Sequence, residues 1–187
     1  MLEFKKDWLI INNIDISSIK KEINSIIKNL IPESLKGVTT HGENSKQYDL
    51  TNHIKSSLIV NKIENKIIEC LFNKFKYKFN LSLISSWTVL GQEHGYHTLH
   101  KHNYDKDKPL HVASVIYLDV PKTLEKEDLK ETNNFYCLFN NNNDIKYYSH
   151  NPKIGDLMVF PVWLWHGAYP QGKGMRQTLN MDFKIKV

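Results

Sequence analysis

YHTLHKH, residues 96–102, places three histidines in seven positions, and His94 lies two residues upstream. Four of the nine histidines therefore fall within residues 94–102, a density that no solvated loop needs. As a strand, this stretch alternates faces with period two. His100 and His102 then share a face with Tyr96 and Thr98, while His97, Leu99 and Lys101 take the other. Two imidazoles one pleat apart can chelate one metal ion, provided a neighbouring strand brings a third ligand.

The surrounding sequence supplies such strands. LSLISSWTVL (81–90), HVASVIYLDVP (111–121), NFYCLFN (134–140), IKYYSH (145–150), GDLMVFPVWLWHGAYP (155–170) and MRQTLNMDFKIKV (175–187) all read as extended segments. A charged excursion, TLEKEDLKETNN (123–134), and an Asn-rich turn separate some of them. Short strands with turn signals and no intervening helical pattern predict an antiparallel sandwich or barrel.

Upstream, residues 4–14 read as extended, and Asp15 stands as an N-cap before the stripe Ile16, Ile19, Ile23, Ile26, Ile27 and Leu30, which Pro32 ends. Residues 33–56 read as a long polar loop. A second helix is predicted over 58–77, with Val60, Ile63, Ile67, Leu71 and Phe75 on one face. The expectation is an α+β, mainly β chain forming one domain over 1–187. Residues 1–80 would give helical support and a long loop, and 81–187 the β core.

Composition narrows the function. The 41% hydrophobic and 24% charged residues are those of an ordinary globular chain. No apolar run is long enough for a transmembrane helix, and the first residues are too charged for a signal peptide. Cys70 and Cys137 stand far apart and outside any CxxC pattern, so a reduced, cytoplasmic setting is expected. The net charge of +5 comes from 25 basic residues, of which all but Arg176 are lysine. Phosphate and base recognition favour arginine, so nucleic acid is not an expected partner. A solitary arginine marks a place where lysine would not serve, and bidentate capture of a carboxylate is the commonest such need. The alternative is a chance surface arginine or a structural ion pair.

His166 follows the His100/His102 pair at the end of a strand and is the candidate third ligand. Arg176 comes ten residues later on the final strand, which in an antiparallel barrel runs back beside the previous one, so it can point into the same cavity, deeper inside. Imidazoles on rigid strands suit Fe, Zn, Cu or Ni and leave one side of the ion open.

Trp87, Gly91, His100-x-His102, Ser114-Val-Ile-Tyr-Leu-Asp-Val-Pro121, Gly155-Asp-Leu-Met-Val-Phe-Pro-Val-Trp-Leu-Trp-His166 and Arg176-Gln-Thr-Leu-Asn180 occur in that order. Over residues 81–187 this chain of motifs resembles the small Fe(II)/2-oxoglutarate oxygenases of bacteria and phages. The resemblance implies a double-stranded β-helix (jelly roll). It further implies Fe(II) on His100 and His166, and 2-oxoglutarate held at its distal carboxylate by Arg176 with Thr178. The reaction implied is hydroxylation of an unidentified substrate by O2, with release of succinate and CO2. The usual ligand set is two histidines and one carboxylate, whereas His102 occupies the carboxylate position here. His102 is taken as the second ligand and Asp105 as the alternative.

The same residues also approach the two metal motifs of cupins, with Trp163 where glycine is expected, which implies a metal enzyme that uses no 2-oxoglutarate. That alternative leaves Arg176 unexplained. A non-catalytic jelly-roll binding module, with Phe160, Trp163 and Trp165 as ordinary core, is the second alternative. His97 is expected to face away from the pair, and the pocket is expected to be walled by Trp163, Trp165 and the segments 33–56, 103–110 and 123–134. No segment encodes a recognisable substrate or oligomeric state.

Overall fold

Residues 2–34, 40–102, 111–121, 131–141 and 144–186 are described by a computed structural model. Its strands are β1 Ile10–Asn13, β2 Thr40–His41, β3 Lys46–Asp49, β4 Asn80–Gly91, β5 Tyr96–His100, β6 His111–Asp119, β7 Phe135–Asn141, β8 Asp144–His150, β9 Asp156–Pro161, β10 Trp165–Ala168 and β11 Arg176–Lys186. The helices are α1 Ser17–Ile27, α2 Thr51–Ile54 and α3 Leu58–Phe75, after a 3-10 turn at Leu2–Lys5. A six-stranded sheet runs β1-β9-β6-β11-β4-β3 and a five-stranded sheet runs β2-β5-β10-β7-β8. The pairings are antiparallel, and the two sheets form the expected double-stranded β-helix.

The helices cover one face of the larger sheet. Ile19 and Ile23 of α1 and Ile63, Ile67 and Leu71 of α3 are fully buried against Leu179, Met181 and Phe183 of β11. Each such side chain contributes about 1.5–3 kcal/mol through the hydrophobic effect. α3 is capped at its start, where the Ser57 hydroxyl accepts from the Ile59 N–H. It stops at Lys76, which adopts the left-handed conformation (φ 61°) and donates its N–H to the Phe72 carbonyl. A second core, with Phe135, Cys137, Met158, Phe160 and Leu164, fills the space between the sheets.

Four expectations are corrected. The segment 33–56 is not simply a loop, because β2, β3 and α2 form within it, and β3 pairs with the edge of β4 while burying Tyr48. α1 begins two residues after Asp15 and ends at Ile27, before Pro32; the Asp15 carboxylate still accepts from the Ser17 N–H and hydroxyl. The strand expected over 155–170 is two strands. Proline has no N–H for the ladder, and after Pro161 the chain turns, with the Leu164 N–H on the Pro161 carbonyl, and crosses from the larger sheet to the smaller. The last two strands are not neighbours: β10 lies in one sheet and β11 in the other.

Among the described residues, no helix is long and apolar enough to cross a membrane. Asp105, the segment 103–110 and most of the 123–134 excursion lie outside the described residues.

Candidate metal centre

β10 pairs with β5 so that His166 stands opposite His100. The next pair is Ala168 with His97, so three steps along β5 match two along β10. This bulge re-aims the side chains. It breaks the expected alternation and turns His97 into the same cavity as His100, leaving Tyr96 and Leu99 exposed. The expectation that His97 faces away is therefore wrong. β5 also ends at His100; His102 lies beyond it, held by its backbone N–H on the Val162 carbonyl in the crossover from β9 to β10.

His100, His102 and His166 converge. Their ligand nitrogens all lie within 4.8 Å of one another. Ring centroids are 4.3 Å apart for His100–His166, 5.2 Å for His102–His166 and 5.6 Å for His100–His102. Each ring has an acceptor at Nδ1: the Thr98 carbonyl at 2.8 Å for His100, the Leu164 carbonyl at 2.9 Å for His166, and Asp182 Oδ1 at 2.8 Å for His102. A proton held on Nδ1 by such an acceptor leaves the Nε2 lone pair for a cation. His166 is 5% exposed, and its pKa lies well below the usual histidine value, first because burial penalises the charged ring and then because His100 and His102 are close. Burial lowers His100 likewise, partly opposed by the Thr98 carbonyl. Neutral imidazoles are the form that binds metal.

β11 faces this cluster with alternate residues. Arg176, Thr178, Asn180 and Asp182 point inward, while Leu179, Met181 and Phe183 pack under the helices. Arg176 is 3% exposed, and Nη1 donates to the Tyr169 carbonyl at a long 3.5 Å. Among the described residues no carboxylate pairs with it. Burial pulls its pKa down, opposed by Tyr117, whose own phenol is pushed up to about 12 by burial. Burial and then the Arg176 charge hold His97 well below the usual histidine range. Gly91 faces Arg176 across the β4–β11 ladder. A Cβ there would collide with Gln171 Oε1, so this glycine admits the Gln171 side chain, which donates to the Gly91 and Gly174 carbonyls.

Arg176, Thr178 and the three histidines line one cavity. Its described walls include Trp87, Val115, Phe135 and Ala168. Trp163 and Trp165, expected as wall, do not line it. Trp165 is 44% exposed on the outer side, with the Lys101 ammonium 5.3 Å from its ring centroid, and Trp163 packs against both cores. Arg176 and His166 meet across the sandwich rather than along neighbouring strands. Sequence reasoning missed Asp182, Asn180 and Tyr117. The first two were signalled by the alternation Arg-x-Thr-x-Asn-x-Asp along one strand face.

The residues fit iron and a dicarboxylate together. Three imidazoles with engaged Nδ1 atoms suit the ion, and a buried guanidinium with no counter-ion among the described residues suits a carboxylate.

Comparison with known proteins agrees. Residues 85–182, just over half of the chain, match the family described as "Putative 2OG-Fe(II) oxygenase". No curated protein matches the sequence. A viral collagen prolyl hydroxylase of Paramecium bursaria Chlorella virus-1, solved with 2OG, is similar at 19% identity and a TM-score of 0.61, over 96% of this chain and 97% of that one. HygX from Streptomyces hygroscopicus, solved with nickel, 2-oxoglutarate and hygromycin B, is similar at 13% identity and a TM-score of 0.67, over 98% and 85%. A prolyl-4-hydroxylase of Pseudomonas putida gives 11% identity and a TM-score of 0.63, over 96% and 93%. At these identities the structural likenesses speak to the fold. The match over residues 85–182 carries the conclusion that the chain belongs to the Fe(II)/2-oxoglutarate oxygenases, oxidoreductases whose cofactors are Fe(II) and 2-oxoglutarate.

Proposed function

We propose that the chain hydroxylates a C–H bond of its substrate, with His100, His102 and His166 holding iron and Arg176 and Thr178 holding 2-oxoglutarate. The observation that carries this assignment is the buried Arg176 guanidinium, with no carboxylate partner among the described residues, in the same cavity as three convergent imidazoles. With O2, the iron and cosubstrate supply the oxidation: R–H, O2 and 2-oxoglutarate become R–OH, succinate and CO2.

The protein's residues bind, orient and shield. The Thr98 and Leu164 carbonyls and the Asp182 carboxylate fix the three ring tautomers, so the donor lone pairs share one direction of approach. The Arg176 fork would hold the distal carboxylate of the cosubstrate, a bidentate role that lysine's point charge does not fill. Thr178 lies two residues along the same strand face and offers a hydroxyl to the same ligand; Asn180 Nδ2 donates to that hydroxyl oxygen at 3.1 Å and so leaves its proton free to point at an acceptor. Trp87, Val115 and Phe135 exclude water from the reacting atoms. A cupin-type enzyme without 2-oxoglutarate would leave Arg176 with no role.

Succinate formation tests the proposal. It is expected to require Fe(II), O2 and 2-oxoglutarate together, and to be abolished by His166→Ala. Succinate formed equally without Fe(II), or undiminished in His166→Ala, would overturn it.

A further inference from the structure

Histidine ligands bring no negative charge to a metal, whereas sites of this kind ordinarily include one carboxylate ligand. Among the described residues, a carboxylate nevertheless stands behind one of these rings, one imidazole away from the donor atom. Asp182 is 3% exposed and places Oδ1 2.8 Å from His102 Nδ1, while its Oδ2 accepts from the Ser85 hydroxyl at 3.2 Å. His100 and His166 rest instead on the uncharged carbonyls of Thr98 and Leu164. The charged acceptor thus backs His102, the residue that stands where the usual ligand set has its carboxylate.

We infer that Asp182 is a positioning residue for the metal: it holds His102 with Nε2 toward the ion and supplies through the ring the negative charge that a direct carboxylate ligand would have brought. This inference rests on the proposed metal ligation. A carboxylate on Nδ1–H makes an imidazole a stronger donor and fixes its orientation, and loss of such a partner typically weakens metal affinity about 10–100-fold. The placement follows from the strand. Asp182 is the fourth inward residue of β11 after Arg176, Thr178 and Asn180, so one ladder carries the carboxylate anchor at one end and the charge behind the metal at the other.

Co(II), a spectroscopic substitute for Fe(II), provides the test through its affinity and its visible ligand-field bands under anaerobic conditions. Asp182→Asn keeps the shape and an oxygen for Nδ1–H but removes the charge, and should weaken Co(II) binding about tenfold or more. His102→Asp puts a carboxylate directly at the metal. In that background the added Asp182→Asn change should cost little or nothing, a rescue that a merely structural aspartate would not produce. Asp182→Asn binding Co(II) as tightly as wild type, or weakening it equally in both backgrounds, would overturn the inference while leaving the ligand assignment standing. Wild-type protein that binds no Co(II) would overturn both. Should Asp182→Asn fail to fold, 15N-histidine spectra of the wild type decide instead: a His102 proton on Nδ1 supports the inference, and one on Nε2 overturns it.

Discussion

Replacing Arg176 by methionine should make the ligand-free protein more stable and make it blind to 2-oxoglutarate. The guanidinium is 3% exposed, holds one 3.5 Å bond to the Tyr169 carbonyl, and has no carboxylate partner among the described residues. A buried charge without a partner costs several kcal/mol. Methionine fills much of the same volume without it, so a net gain of about 1–4 kcal/mol is expected for the metal-free, cosubstrate-free protein. At about 2–4 °C per kcal/mol for a chain of this size, Tm should rise by at least about 2 °C. Wild type should recover the difference when 2-oxoglutarate is present: at a hundred times Kd, binding adds about 2.7 kcal/mol. The variant should gain nothing from the same addition. Differential scanning calorimetry of the metal-free proteins reads the first effect, and the same scan in Co(II) with and without 2-oxoglutarate reads the second. A variant with lowered ligand-free Tm, still stabilised by 2-oxoglutarate, would show that Arg176 is a structural cation and refute the assignment.

His102→Ala should lose metal stoichiometrically whereas Asp105→Ala should keep it; the reverse result by metal analysis would move the second ligand to Asp105. Burial keeps His166 neutral well below pH 6.5 in the fold, while the unfolded chain protonates it near that value, so the unfolded state binds more protons in between. Stability of the metal-free protein should therefore be complete above about pH 6.5 and fall below it, by about 1.4 kcal/mol per pH unit for that one group; a denaturant midpoint that stays flat from pH 7 to 5 would contradict this. Gly167→Ala would bring its Cβ to 2.9 Å from the His97 carbonyl and against the Tyr136 hydroxyl. The overpacking should cost about 1–3 kcal/mol and, by pushing β10 from β5, weaken metal binding; an unchanged Tm would refute the close approach.

Much of this architecture is legible in the residues, for identifiable reasons. The strands of the β core show alternation and turn signals that do not depend on a partner. Arg176 stands out because every other basic residue is lysine, and His166 because it closes a strand of apolar residues. What is hidden depends on pairing. The bulge that turns His97 inward exists only in the register of β5 with β10, and nothing within YHTLHKH announces it. β2 and β3 are two and four residues long and take their shape from the strands they border, so a polar, glycine-containing segment gives no period of its own. Trp165 looks like pocket wall until the turn after Pro161 sends it outward. Asp182 becomes readable once the inward face of β11 is fixed by Arg176, since the two lie six residues apart on one strand.

The central claim is that one cavity binds iron through three imidazoles and, beside it, 2-oxoglutarate through Arg176. Anaerobic titration of the protein with Fe(II) and 2-oxoglutarate tests this most directly, because the chelated cosubstrate gives a weak visible metal-to-ligand band. The band should grow to saturation in wild type, need far more 2-oxoglutarate in Arg176→Lys at unchanged metal content, and vanish in His166→Ala. No band at saturating concentrations in wild type, or equal loss of metal and cosubstrate in Arg176→Lys, would contradict it.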